Sequence, residues 1–113
     1  MEGSYKTKKE EGRTNKMTNF KTIAELKQTN KNNGMYFFSK DTMKFFNSKI
    51  EFKLINKNNK QYFITSERYY KDDPKLYTVR MVTDEKASIQ TVSEFQEFNT
   101  IEKARQYIKE LKQ

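Results

Sequence analysis

The stretch Leu76-Tyr-Thr-Val-Arg-Met-Val-Thr83 limits what this chain can become, because β-branched and aromatic residues run through it with no glycine or proline. Its alternation puts Tyr77, Val79 and Met81 on one face and Thr78, Arg80 and Val82 on the other. Such a strand needs neighbours, and the sequence offers one on each side. Tyr62 to Tyr69 precedes it, ended by the breaker Lys71-Asp72-Asp73-Pro74. Ser88 to Phe98 follows after a turn at Asp84–Ala87, and its imperfect alternation predicts a bulge. Asn99-Thr-Ile-Glu102 then reads as a capping box, and Ile101, Ala104, Ile108 and Leu111 fall on one stripe of a helix. The stretch from Tyr62 to Leu111 is therefore expected to be an antiparallel meander closed by an amphipathic helix. Sheet and helix each have one apolar side to bury, so they should bury it against each other.

Upstream, Thr22-Ile-Ala-Glu25 fits a second capping box, predicting a short helix from Ile23 to about Thr29 that stops at Asn32-Asn33-Gly34. Ser39 or Asp41 can cap another short helix through Thr42–Phe46. Ile50, Phe52 and Leu54 alternate with Lys49, Glu51 and Lys53 as a strand would, with a turn at Asn56–Asn59. The fold class expected is α+β: two short N-terminal helices, a three- to four-stranded antiparallel meander and a C-terminal helix packed on the sheet. One domain over residues 17–113 suits a chain of 113 residues. Residues 1–16 contain one aromatic and no aliphatic residue, and are expected to be a disordered leader. Alternatively translation starts at Met17, because codons for Glu11-Gly12-Arg13 suit a purine-rich ribosome-binding sequence; the intact mass of the natively expressed protein decides this.

Only 34% of the residues are hydrophobic, but nine Phe and seven Tyr supply large rings, and a few such rings can build a core. Tyr36, Phe37, Phe38, Phe45 and Phe46 should therefore be mostly core, with one or two exposed and Tyr36 the first candidate. The chain has neither Cys nor His. That removes disulfides, thiolate metal sites, thiol nucleophiles and imidazole acid–base catalysis. No cofactor or metal is expected. Asp72, Asp73, Asp84 and Glu85 sit in successive turns, which alternate ends of a meander and would not share an ion. No apolar run approaches the ~20 residues of a membrane span, and no signal-peptide pattern opens the chain, so a cytoplasmic protein is expected.

The net charge of +8 is unevenly spread. Residues 21–60 hold nine lysines against three acidic residues, whereas residues 61–113 hold nine basic and nine acidic residues. A concentrated positive field attracts phosphate or acidic protein surfaces. Lys40 and Lys44 would share a helix face, Lys49 and Lys53 would point from one strand, and Lys57 and Lys60 flank the turn. With Tyr36 as a stacking ring and Arg80 on the sheet, these are the candidate nucleic-acid or partner-binding residues. The same pattern also suits a solvated lysine-rich face that keeps a small domain soluble.

Two resemblances add to this. Tyr77-Thr-Val-Arg-Met-Val, Glu94-Phe and Phe98-Asn-Thr-Ile-Glu-Lys-Ala104-Arg-Gln-Tyr-Ile108 resemble the β-β-α pattern of arm-type DNA-binding domains of phage and transposon integrases, which would imply a sheet docked in the DNA major groove. The stretch Gly34-Met-Tyr-Phe-Phe-Ser-Lys-Asp-Thr-Met-Lys-Phe-Phe-Asn-Ser-Lys-Ile50, with Tyr62-Phe-Ile-Thr-Ser-Glu67, is similar to small phage and plasmid proteins, a group that includes anti-CRISPR inhibitors. That similarity implies a mobile-element accessory protein. The function expected is a non-catalytic binder of nucleic acid (DNA or RNA) or of a nucleoprotein complex such as a guide-RNA nuclease. A counter-defence inhibitor would fit that description. The alternatives are a stand-alone DNA-binding module and, less favoured, a small basic ribonuclease of the toxin type.

Overall fold

A computed structural model describes residues 19–45 and 47–112. The expected leader, Met17 and Phe46 lie outside the described residues. The chain runs α1 (Ile23–Asn32), α2 (Lys40–Phe45), β1 (Lys49–Ile50), β2 (Ile55–Lys57), β3 (Lys60–Glu67), β4 (Leu76–Val82), β5 (Ile89–Thr91) and α3 (Ile101–Glu110). All strand pairs are antiparallel, and the order across the sheet is β1 and β2 beside β3, then β4, then β5. The fold is α+β, with α3 packed on the sheet.

The helices start where side chains satisfy their free amides. Thr22 Oγ1 accepts from the Glu25 amide at 3.1 Å, and Glu25 Oε1 accepts from the Lys21 amide at 2.8 Å. α1 outlasts the sequence expectation by about one turn, and Gly34, at φ 75°, completes its exit. Ser39, rather than Asp41, caps α2, taking the Thr42 amide at 3.2 Å. α3 begins one residue later than the motif Asn99–Glu102 implied: its cap is Thr100, whose Oγ1 accepts from the Lys103 amide.

β3 is the centre of the sheet and is buried almost throughout. Its even-numbered side chains Tyr62 and Ile64, with Tyr77, Val79 and Met81 of β4, meet Ile101, Ala104, Ile108 and Leu111 of α3. Its odd face differs. Phe63, Val82 and Ala87 form a second core with Leu26 of α1, roofed by Phe37 and Phe38. Phe37 and Phe38 approach the Phe63 ring at 6.0 and 5.7 Å between centroids. The segment entering α1 is tied to the sheet by Gln61, whose side chain both accepts from the Phe20 amide (2.8 Å) and donates to its carbonyl (2.7 Å). Both faces of β3 are thus covered.

Two strands depart from their expected form. Ile50, Phe52 and Leu54 do not share a face: the strand is broken between Ile50 and Ile55, with β1 and β2 both paired to β3. Register shifts by two residues across the break, so Ile50 and Leu54 pack with Phe63 while Phe52 and Ile55 pack with the α3 core. Both apolar layers need side chains from this edge, which a regular alternation facing one of them would not supply. The last strand is regular only at Ile89–Thr91. It then loops out through Gln96, at φ 58°, and returns to pair Phe98 with Tyr77. The first hairpin turns on Asn58-Asn59, with φ 53° and 65°, the backbone pattern of a type I′ turn. Asn56, expected in that turn, lies in β2.

Candidate functional site

The structure divides the six candidate lysines among different surfaces. Lys40, Lys44, Lys49 and Lys53 are exposed, while Lys57 and Lys60 at the hairpin are half-buried. Tyr36 is 75% exposed, as expected of it, and Phe45 is 76% exposed. Phe37 and Phe38 go to the core.

Lys53 and Lys57 meet α3 across a groove of 650 Å³ that also takes in Arg105 and Lys109. Arg105 and Lys109 lie one helical turn apart, and the Arg105 guanidinium stands over the Phe52 ring at 4.5 Å. That contact exists because the strand break turns Phe52 toward the α3 side of the sheet. Lys57 has a structural task as well: its Nζ donates to the Lys109 carbonyl, placing a cation at the negative end of α3. Asn58 supports it, Nδ2 donating to the Leu111 carbonyl at 3.3 Å. Among the described residues, Glu102 is the one acidic side chain lining this groove. Reasoning from segment charge missed Arg105 and Lys109, because residues 61–113 sum to zero. Their i,i+4 spacing beside the Ile101–Ala104–Ile108 stripe was the available signal.

Lys40 faces a different groove, of 660 Å³, whose other wall is α1. Lys27 and Lys31, again i,i+4, line it together with Tyr36, and among the described residues no acidic side chain does. Lys60 lines a smaller, asparagine-rich depression beside the hairpin turn.

Arg80 is not part of either cationic groove. Glu67, whose side chain is 0% exposed, holds it at 3.0 Å, and the Arg80 side chain is 11% exposed. The Glu67 carboxylate also accepts from Thr65 Oγ1 at 2.6 Å and from Thr78 Oγ1 at 2.8 Å. Arg80 Nε donates to Thr65 Oγ1 and Nη1 to Thr91 Oγ1. Its guanidinium lies between Phe37 (5.2 Å) and Phe95 (5.9 Å), at the floor of a 470 Å³ cleft under α2. A charge neutralised in this way organises the sheet's polar strip and offers little attraction to phosphate. The polar alternation Thr65-x-Glu67 and Thr78-x-Arg80 could have revealed the strip from sequence.

Two carboxylates outside the grooves are held by local bonds. Burial pushes the Glu51 carboxyl up, but the Ser66 hydroxyl at 2.5 Å and Lys75 at 3.1 Å outweigh it, so Glu51 titrates below its ordinary value. Asp84 behaves alike: burial is outweighed by the Ser88 amide and hydroxyl and the Lys86 amide, and its carboxyl is lowered. Among the described residues no group of three or more acidic side chains could hold a metal ion, and no helix is long and apolar enough to cross a membrane.

Comparison with curated proteins and with solved structures found no match. The model of a family of unknown function (DUF7447) matches residues 22–109, from the cap of α1 to the last turn of α3. That match covers most of the chain and nearly all of the fold just described, and the chain belongs to this family.

Proposed function

We propose that this protein is a non-catalytic binding module that engages nucleic acid, alone or within a nucleoprotein complex, through its cationic grooves. The observation that carries this is the convergence of Lys53, Arg105 and Lys109, with Lys57 beside them, around one concave surface whose described lining includes a single acidic residue. Cations brought together from the sheet edge and a helix, on a chain of net charge +8, have the sign a phosphate backbone requires. Arg105 is braced against Phe52, so part of the cost of ordering its side chain is met before a partner arrives. The similarity to mobile-element proteins suggests a setting in counter-defence, where the partner would be a guide-RNA nuclease; the cationic grooves are compatible with such a ribonucleoprotein.

A major-groove reading through the sheet has less support, because α3 covers one face of β3, and α1 with Phe37 and Phe38 covers the other.

The test uses Lys53→Glu/Lys109→Glu, a double reversal at two exposed side chains. Binding of labelled DNA and RNA oligomers at low salt should weaken at least about tenfold relative to the unmodified protein, as expected when two phosphates are no longer neutralised. Unchanged affinity would remove this groove from the interface. Absence of any nucleic-acid binding by the unmodified protein would overturn the proposal.

A further inference from the structure

The groove between α1 and α2 is lined by a buried side chain with an acceptor that no other described residue supplies with a donor. Asn30 lines it and is 2% exposed. Its amide nitrogen donates to the Ala87 carbonyl at 2.8 Å and reaches the Met35 sulfur at 3.6 Å. A carbonyl can only accept, so the group facing Ala87 must be the NH₂, which fixes the orientation of the amide. Oδ1 is then committed to the other side, and among the described residues no donor reaches it. A buried acceptor without a donor is costly, and native folds rarely leave one without a water or ligand partner.

What surrounds this acceptor narrows the ligand. Met35 is fixed beside it, its sulfur also taking the Ser88 hydroxyl. Phe38 adds an apolar surface, and Tyr36 presents an exposed ring. Lys27 and Lys31 stand on one wall and Lys40 on the other, with no acidic residue among the described lining. The volume, 660 Å³, lies within the range of small-ligand sites.

We propose that this groove holds an unpaired nucleotide of a single-stranded nucleic acid. The base stacks on Tyr36, its exocyclic amine donates to Asn30 Oδ1, and the flanking phosphates pair with Lys27, Lys31 and Lys40. A base in a duplex has both faces occupied by its stacked neighbours and cannot lie on Tyr36, so the groove selects for the single strand. This rests on the nucleic-acid reading above and adds to it a strand state and a base preference. An amine-bearing base is favoured because the atom left open is an acceptor; thymine and uracil present a carbonyl at that position.

Fluorescence anisotropy with labelled oligo(dC), oligo(dT) and a mixed-sequence duplex tests it, using the full chain and Tyr36→Ala, a change at an exposed side chain. Oligo(dC) should bind about fivefold more tightly than oligo(dT), the worth of one hydrogen bond. Tyr36→Ala should weaken oligo(dC) binding about tenfold, the worth of one stacked base, and the duplex should bind more weakly than oligo(dC). Equal affinity for oligo(dC) and oligo(dT), equal affinity for duplex, or a silent Tyr36→Ala overturns this site while salt-sensitive binding leaves the broader proposal standing. No binding to any of the three overturns this site, and a failure of RNA oligomers to bind as well overturns both. An acidic peptide that binds through Tyr36 in place of all three would assign the groove to protein instead.

Discussion

Replacing Arg80 with methionine isolates the cost of the buried carboxylate beneath it. The Glu67 side chain is 0% exposed and, among the described residues, has one cationic partner, Arg80 Nη2 at 3.0 Å. Met keeps much of the side-chain volume between Phe37 and Phe95 but leaves the carboxylate with hydroxyl donors, from Thr65, Thr78 and, more distantly, Ser48 at 3.4 Å. Breaking a buried pair on one side costs about 3–5 kcal/mol. The retained hydroxyl bonds place this case near the lower end, about 3 kcal/mol. With a urea m-value of about 1.3 kcal/mol/M for a domain of this size, the midpoint should fall by roughly 2 M. Glu67→Gln in the same background should restore part of that loss, because the uncompensated charge is gone, giving a coupling of about 1–3 kcal/mol across the double-mutant cycle. Urea unfolding followed by circular dichroism reads all four proteins. A midpoint shift under about 0.5 M for Arg80→Met, or strict additivity in the cycle, would refute the assignment of this pair as a buried, mutually dependent unit.

Two further perturbations probe other parts of the fold. Asn59 sits at φ 65° in the second turn position of the first hairpin, so Asn59→Gly should raise the thermal midpoint by a few degrees, about 0.5 kcal/mol, and Asn59→Val should lower it by more than that; a stabilising valine would contradict the turn geometry. Glu51 and Asp84 are both held below their ordinary values of 4.5 and 3.8, so the stability they supply is complete above those values and is lost as pH falls through the lowered ones. The urea midpoint should therefore drop as pH falls below those ordinary values, and Glu51→Gln should flatten part of that drop; a midpoint that rises on acidification would contradict it.

The elements whose identity rests on one local pattern were legible in the sequence. Leu76–Val82 is the strand its alternation implied, with the faces assigned as they occur, and Ile101, Ala104, Ile108 and Leu111 do meet the sheet. Tyr36 is exposed while Phe37 and Phe38 enter the core, as expected of a chain with few aliphatics that must bury most of its rings. What stayed hidden depended on tertiary demand. The break at residues 51–54 exists because two cores, one on each sheet face, draw side chains from a single edge strand, and no local propensity encodes that division. The grooves were partly visible. Segment charge pointed to residues 40–60, but spacing along a strand could not show that Lys53 would face Arg105 and Lys109 of α3, or that Lys40 would face Lys27 and Lys31 of α1. Arg80 was expected as a contact residue on the sheet, on the face opposite Tyr77, Val79 and Met81. That face turned out to be covered as well, and Glu67 claims its charge.

The most direct measurement of the nucleic-acid proposal is the salt dependence of oligonucleotide affinity for the unmodified protein. Three to four phosphates held by lysine and arginine predict that log K falls against log salt with a slope of about −3, a loss of roughly 60-fold between 50 and 200 mM. A slope near zero, whatever the affinity, would mean that these cations do not hold a phosphate backbone.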